Sequence, residues 1–163
     1  IVVAGYMAEQ KTCENDWSKT LNTINVNFTG AVSILNIIAN DMEQNKNGFI
    51  VGVSSVAGDR GRKANYIYGS AKAGFSAYLS GLRNRLYESG VKVLTVKPGF
   101  VNTKMTAKLD LPTKLTAQPE DVAKDIFTAQ QKGNDVLYTK PIWRVIMMII
   151  KMIPEWKFKG MSL

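Results

Sequence analysis

At 163 residues and 45% hydrophobic content, the chain is long enough to bury one core. It has no histidine and a single cysteine, Cys13, which argues against a zinc or other metal centre, a Ser-His or Cys-His hydrolase and an internal disulfide, and suits a reducing, cytoplasmic compartment. The net charge of +8 does not point to nucleic acid: half of it lies after Thr139, on Lys140, Arg144, Lys151, Lys157 and Lys159 against Glu155, with no basic run interleaved with aromatics.

The first residues, Ile1 to Gly5, read as a strand stub. Trp17, Leu21, Ile24, Phe28, Ala31, Leu35, Ile38 and Met42 then recur at steps of four and three, which predicts one apolar stripe along a long helix. Asp16 is placed to cap its start, and Asn47-Gly48 to turn the chain after it. Asn27 sits in the middle of this helix, where asparagine competes for backbone hydrogen bonds; it is either a tolerated polar residue or a functional one. The apolar run from Phe49 reads as a buried strand ending near Ser54. A second long helix is expected from Asn65 or Tyr66 to Glu88, with Phe75, Leu79, Leu82 and Leu86 on its core side and Ser89-Gly90 stopping it.

Val91 to Val96 is the next strand, closed by Pro98-Gly99. Thr103 to Gln118 has no clean period and two turn signals, and is expected to be a mobile loop. Pro119, Glu120 and Asp121 mark the first turn of a short helix that ends before Gly133, and Asp135 to Thr139 is a final strand. Strands alternating with helices predict an α/β fold with a parallel sheet. The chain is expected to be a single domain, with the sheet and its crossover helices in 1–140 and an amphipathic extension in 141–163.

The chemistry-bearing pattern is Tyr68 and Lys72, four residues apart in YGSAK and therefore one turn apart on a helix face. An ammonium held near a phenol favours the phenolate, so the Tyr68 pKa is expected to fall from about 10 toward neutrality. That would fit it to give and take a proton. Ser55, at the carboxyl end of the strand before this helix, is placed to hold a carbonyl oxygen.

The segments VNFTGAV, GFIVGVSSVAGDRG, NYIYGSAKAGFSAY and GVKVLTVKPGFVNTKM, in this order, resemble the short-chain dehydrogenase/reductase family over almost the whole chain. The resemblance implies the second half of a Rossmann-type doubly wound parallel sheet and a catalytic tetrad of Asn27, Ser55, Tyr68 and Lys72, the spacing rejecting Ser54 and Tyr66. It implies a kinked helix at Asn27 holding a proton-relay water, and Lys72 lowering the Tyr68 pKa while holding the nicotinamide ribose. The implied cofactor is NAD or NADP, with Ala4, Gly5, Pro98, Gly99, Val101 and Thr103 joining Tyr68 and Lys72 around it. IVVAG matches the family's Asn-Asn-Ala-Gly element with Val2 and Val3 in place of the asparagines. The glycine-rich TGxxxGxG turn that cradles the pyrophosphate is absent from this sequence, so the chain is expected to be the C-terminal part of a longer enzyme. A homodimer or homotetramer is also implied, since the family's two long helices commonly pair across a two-fold axis.

Arg60, Arg62 and Lys63 cluster in the loop between Ser55 and Tyr68, either as solvated charges or as a contact for a substrate phosphate. Trp17, Trp156, Cys13 and the methionines read as packing residues. IWRVIMMIIKMI, from Ile142 to Ile153, is too short to span a bilayer but strongly apolar, with Arg144 and Lys151 on one face. Three roles fit it: a peripheral contact on the inner face of an anionic membrane through 142–159, a lid on a substrate pocket, or a dimer contact. The extended C-terminus resembles the subgroup that includes the decaprenylphosphoryl-ribose keto-reductase, which implies a lipid-linked or hydrophobic carbonyl or alcohol substrate. A non-catalytic dinucleotide-binding or dimerisation module remains the alternative.

Overall fold

A computed structural model of the chain describes residues 1–107 and 109–161. Lys108, inside the expected loop, and Ser162 and Leu163, at the end of the expected extension, lie outside the described residues.

The sheet is parallel throughout. Strand β1 (Phe49–Val53) pairs with β2 (Lys92–Pro98), which pairs with β5 (Val136–Thr139). On the free side of β1, Val2 forms a parallel bridge with Gly52, its N–H donating to Val51 O at 2.8 Å, so the N-terminal stub begins a fourth position in the sheet. The central strands are apolar on both faces, as strands covered by helices on both sides must be. Ile50 and Val93 face one layer, whereas Val51, Leu94 and Val96 face the other.

The first layer holds two long helical segments. Helix α1 (Gln10–Asn15) leads into α2 (Trp17–Ile24), whose start is capped by Asp16 accepting from Ser18 N at 2.9 Å. A π-turn (Asn25–Thr29) joins α2 to α3 (Gly30–Asn45) without a break. Helix α4 (Tyr66–Leu86) lies beside them, and Phe75, Leu79, Leu82 and Leu86 are buried as their spacing predicts. On the opposite face α5 (Pro119–Gln131) covers the sheet through Ala129 and Ile126, with Pro119 at its first turn.

Two sequence expectations need correction. The apolar stripe of the first long helix does not face the core along its length: Trp17, Leu21 and Ile38 are exposed, and the buried positions are Thr20, Thr23, Asn27, Ala31, Leu35 and Ala39. The π-turn rotates one half of the helix against the other, so no single 3.6-residue stripe describes it. The stretch from Thr103 to Gln118 is not featureless either. Strand β3 (Phe100–Val101), just before it, pairs with β4 (Thr116–Ala117), and Thr113–Leu115 forms a 3-10 turn, which ties the base of the loop together.

Helix α6 (Ile142–Met152) closes the molecule at the carboxyl end of the sheet, and Pro154 precedes the short α7 (Glu155–Phe158). The inner face of α6 buries Trp143 and Met147 against Val56, with Phe100, Leu115 and Tyr138 around them. Its outer face leaves Val145, Met148, Ile149 and Met152 exposed.

Candidate active site

The carboxyl ends of β1 and β2 and the end of the N-terminal stub converge beside α4, the place where open parallel sheets bind ligands. After β1, Ser54 turns toward α4: its Oγ donates to Lys72 O at 2.9 Å and shares a 2.7 Å hydrogen bond with Ser76 Oγ. Ser55 then opens a 3-10 turn, Val56–Gly58, accepting from Ala57 N at 3.1 Å. Two glycines bring this turn onto α4. A Cβ at Gly58 would lie 2.7 Å from Ala73 N, and one at Gly69 would lie 2.8 Å from Ala57 O. Backbone thus touches backbone, which holds the Ser55 hydroxyl beside the Tyr68 phenol. Tyr66, the rejected neighbour, is exposed and donates instead to Glu14 at 3.1 Å.

Lys72 is only 2% exposed. Its Nζ donates to Ala4 O at 2.8 Å and to Val53 O at 3.1 Å, and lies 5.8 Å from the centre of the Tyr68 ring. Burial without a carboxylate partner pushes its pKa down to about 8. The expectation for Tyr68 is overturned in direction. Burial pushes the phenol above its ordinary value, and the Ser55 hydroxyl only partly offsets this. The reason is geometric: the ammonium is spent on two backbone carbonyls, and desolvation of the phenolate then dominates.

Asn27 is 1% exposed and sits in the π-turn. Its Nδ2 donates to Tyr6 O at 2.6 Å and to Thr23 O at 2.7 Å, while its Oδ1 accepts from Tyr6 N at 3.3 Å. Both amide protons are therefore committed, and the side chain fastens the loop that follows Ala4 and Gly5.

These elements enclose a cavity of about 440 Å³, within the range of small-molecule sites. Ser55, Tyr68 and Lys72 line it, as do Ala4, Gly5, Pro98, Gly99, Val101 and Thr103; Asn27 stands behind the wall and does not. The walls at Ala4–Gly5 and Pro98–Gly99 carry little or no side chain, which leaves room for a flat ring to approach the backbone beside Tyr68 and Lys72. The nicotinamide end of a dinucleotide fits these residues. Among the described residues no glycine-rich strand-turn-helix is present for the pyrophosphate.

The remaining walls are largely apolar and include Met7, Met105, Leu109 and Trp143. Two of the methionines read as packing residues therefore face the cavity, and Trp143 from α6 roofs it, its Nε1 donating to Leu115 O at 3.1 Å. The structure also separates the three clustered cations. Arg60 is not solvated: its guanidinium donates to Ile150 O at 3.1 Å, Lys151 O at 3.2 Å and Ile153 O at 2.7 Å, pairs with Glu155 at 2.7 Å and stacks 3.9 Å above the Phe158 ring. It caps the end of α6. Lys63 is exposed. Arg62 lines the cavity together with Asn65, which the sequence pattern did not single out.

Residues 1–113 match the family model described as short chain dehydrogenase. The chain is 33% identical over 161 residues to an uncharacterized oxidoreductase of Mycobacterium tuberculosis, covering 99% of this chain and 64% of that protein. It is 34% identical over 147 residues to an uncharacterized oxidoreductase of Streptomyces coelicolor, covering 88% of this chain and 58% of that one. The chain thus spans about three fifths of the length of these relatives. Among solved structures, a 7beta-hydroxysteroid dehydrogenase superposes with a TM-score of 0.82 at 20% identity, over 96% of this chain and 63% of its own. A short chain dehydrogenase from Burkholderia cenocepacia in complex with NADP gives 0.75 at 20% identity, over 84% and 58%.

Proposed function

Since the chain belongs to the short-chain dehydrogenase family, we propose that the whole enzyme is an NAD- or NADP-dependent oxidoreductase acting on a carbonyl or alcohol, with Tyr68 as its proton-transfer group. The observation that carries this reading is the meeting of Ser55, Tyr68 and Lys72 on one cavity wall. The cofactor, when bound, supplies or accepts the hydride. Ala4, Gly5, Pro98, Gly99, Val101 and Thr103 would hold its nicotinamide end beside Tyr68 and Lys72.

Within this reading, Ser55 Oγ donates a hydrogen bond to the substrate carbonyl oxygen, and Tyr68 passes its phenolic proton to that oxygen as the alcohol forms. A phenol pushed above its ordinary pKa is protonated at neutral pH, which suits the reductive direction. Lys72, with a pKa of about 8, remains mostly an ammonium at pH 7 and steadies the phenolate left behind. Asn27 is a positioning residue: by holding Tyr6 it keeps the Ala4–Gly5 wall in place.

The apolar walls favour a hydrophobic substrate, in line with the lipid-linked class suggested by the C-terminal extension. The exposed outer face of α6 beside Lys151 supports an encounter with such a substrate at an anionic membrane surface. The exposure of Ile34 and Ile37 on α3 supports self-association.

Turnover of the whole enzyme on a panel of hydrophobic ketones, followed by NADH or NADPH absorbance, tests the proposal. Tyr68→Phe should lower kcat by about 10²–10⁴-fold while cofactor binding persists. Retention of activity within about tenfold would assign the proton to another group. Wild-type protein that binds the cofactor and reduces no ketone would favour the non-catalytic alternative.

A further inference from the structure

We infer that the substrate carries an anionic oxygen group, a phosphate or a carboxylate, and that Arg62 with Asn65 receives it at the edge of the cavity. The inference rests on the proposed substrate pocket but adds a binding subsite to it.

The argument starts from unsatisfied groups. Arg62 Nε and Asn65 Oδ1 are buried and have no hydrogen-bond partner among the described residues, although both residues line the cavity. Buried polar groups are rarely left so; Arg62 Nε lacks an acceptor, and Asn65 can serve the same acceptor when its amide is turned to present Nδ2. The turn itself is fixed: Asn65 N donates to Arg62 O at 3.1 Å, and Asn65 O accepts from Gly69 N at 2.8 Å in the first turn of α4. Asn65 stands at the N-cap of α4, where asparagine usually binds a helix amide, yet its side chain makes no capping bond. The side chain is free for something else.

Charge then selects the partner. Among the described residues, Arg62 and Lys72 are the cations that line the cavity, and no aspartate or glutamate does. Lys72 is satisfied by two carbonyls. The carboxylates of the neighbourhood are taken as well: Asp59 pairs with Lys97 at 2.5 Å and accepts from Tyr138 OH at 2.7 Å, and Glu155 pairs with Arg60. Among the described residues Arg62, unlike Arg60, has no anionic partner. A guanidinium in a largely apolar cavity is complemented by an oxyanion, which it can bind through two parallel N–H bonds. Asn65, whose amide can present either end, completes the shell. Tyr68 lies three residues after Asn65, so the oxyanion would be held near the reacting carbon, with the apolar remainder of the substrate under Trp143.

The test uses binding rather than turnover, so its failure is distinct from failure of the oxidoreductase reading. The whole protein is titrated calorimetrically with octyl phosphate, octanoate and octanol, which share a tail and differ in head group. At least one of the two anions should bind about tenfold or more tighter than octanol, and the tighter one identifies the head group. In Arg62→Gln the preference should fall to within about threefold, while Arg62→Lys, which keeps the charge and guards against a folding artefact, should retain part of it. Equal binding of octanol and the anions overturns the proposal. So does a preference that survives in Arg62→Gln, which would assign the recognition to Lys72.

Discussion

The two long helical segments on the same face of the sheet meet their polar and apolar duties in different ways. Helix α4 runs for 21 residues without interruption. Tyr68 and Lys72 lie toward its start and Phe75, Leu79, Leu82 and Leu86 follow, all in one phase. The 17–45 segment buries Thr23, Asn27, Ala31, Leu35 and Ala39, each four residues after the last. In a regular helix each such step drifts by about 40°, so this row would wind off the core. The π-turn at Asn25–Thr29 absorbs part of that drift, and it does so where Asn27 must reach the Tyr6 loop. A helix can serve a site and a core together either by being long or by being locally overfilled.

That contrast is most severely tested at Leu79, which is fully buried in the regular helix. Leu79→Ala should lower the unfolding free energy by about 2–5 kcal/mol in urea titration. A cost below about 1 kcal/mol would remove α4 from its role as the core-bearing helix.

Lys72 gives the next largest effect and sharpens the polar end of α4. Its folded pKa of about 8 lies below the ordinary value of 10.5, so between these values the unfolded chain holds a proton that the folded chain has released. Stability therefore rises with pH across that window. From pH 7.5 to 9.5 the rise should be roughly 2 kcal/mol, and Lys72→Met should lack it. Tyrosines remote from Lys72, such as Tyr78 and Tyr138, act equally in both proteins, so the difference between the two curves reads Lys72 and its neighbour Tyr68. Parallel curves would mean that Lys72 is not desolvated.

Asn27→Ala strips Tyr6 N and Tyr6 O of their side-chain partner and should cost about 1–3 kcal/mol. Hydrogen exchange at the Tyr6 amide should accelerate with it. An unchanged Tyr6 amide would show that the π-turn holds no loop. At the small end, Leu21→Ala should change stability by no more than about 0.5 kcal/mol, because Leu21 is 43% exposed. A cost above about 1.5 kcal/mol would restore the unshifted stripe.

The sheet and α4 were legible in the sequence because each is regular: apolar runs ended by turn residues, and one uninterrupted 3.6-residue period. The first long helix was legible only in part of its second half, where Ile38 also departs from the stripe. Ala31 and Leu35 are buried as the stripe predicts, whereas Trp17 and Leu21 are not, since an inserted π-turn leaves no mark in a periodic pattern. Spacing could propose Ser55, Tyr68 and Lys72 as neighbours, yet it could not give the direction of the Tyr68 pKa. That depends on the Ala4 and Val53 carbonyls, which meet Lys72 only in the folded chain. Arg60 and Arg62 look alike as residues two apart in a loop. What separates them is the place where α6 ends, against Arg60 and away from Arg62.

Gly99 sets the aperture of the cavity by what it lacks. A Cβ there would run into Trp143 Cε2 and Nε1, so the indole rests directly on the backbone of the strand end. Trp143 is also held by Leu115 and stands edge-on to Phe100, their ring centres 5.1 Å apart. The roof has little freedom to retreat while α6 stays docked. One methyl group at residue 99 would lift it, trading a close-fitting chamber for a wider one. The missing side chain lets the indole set the width of the chamber at this wall.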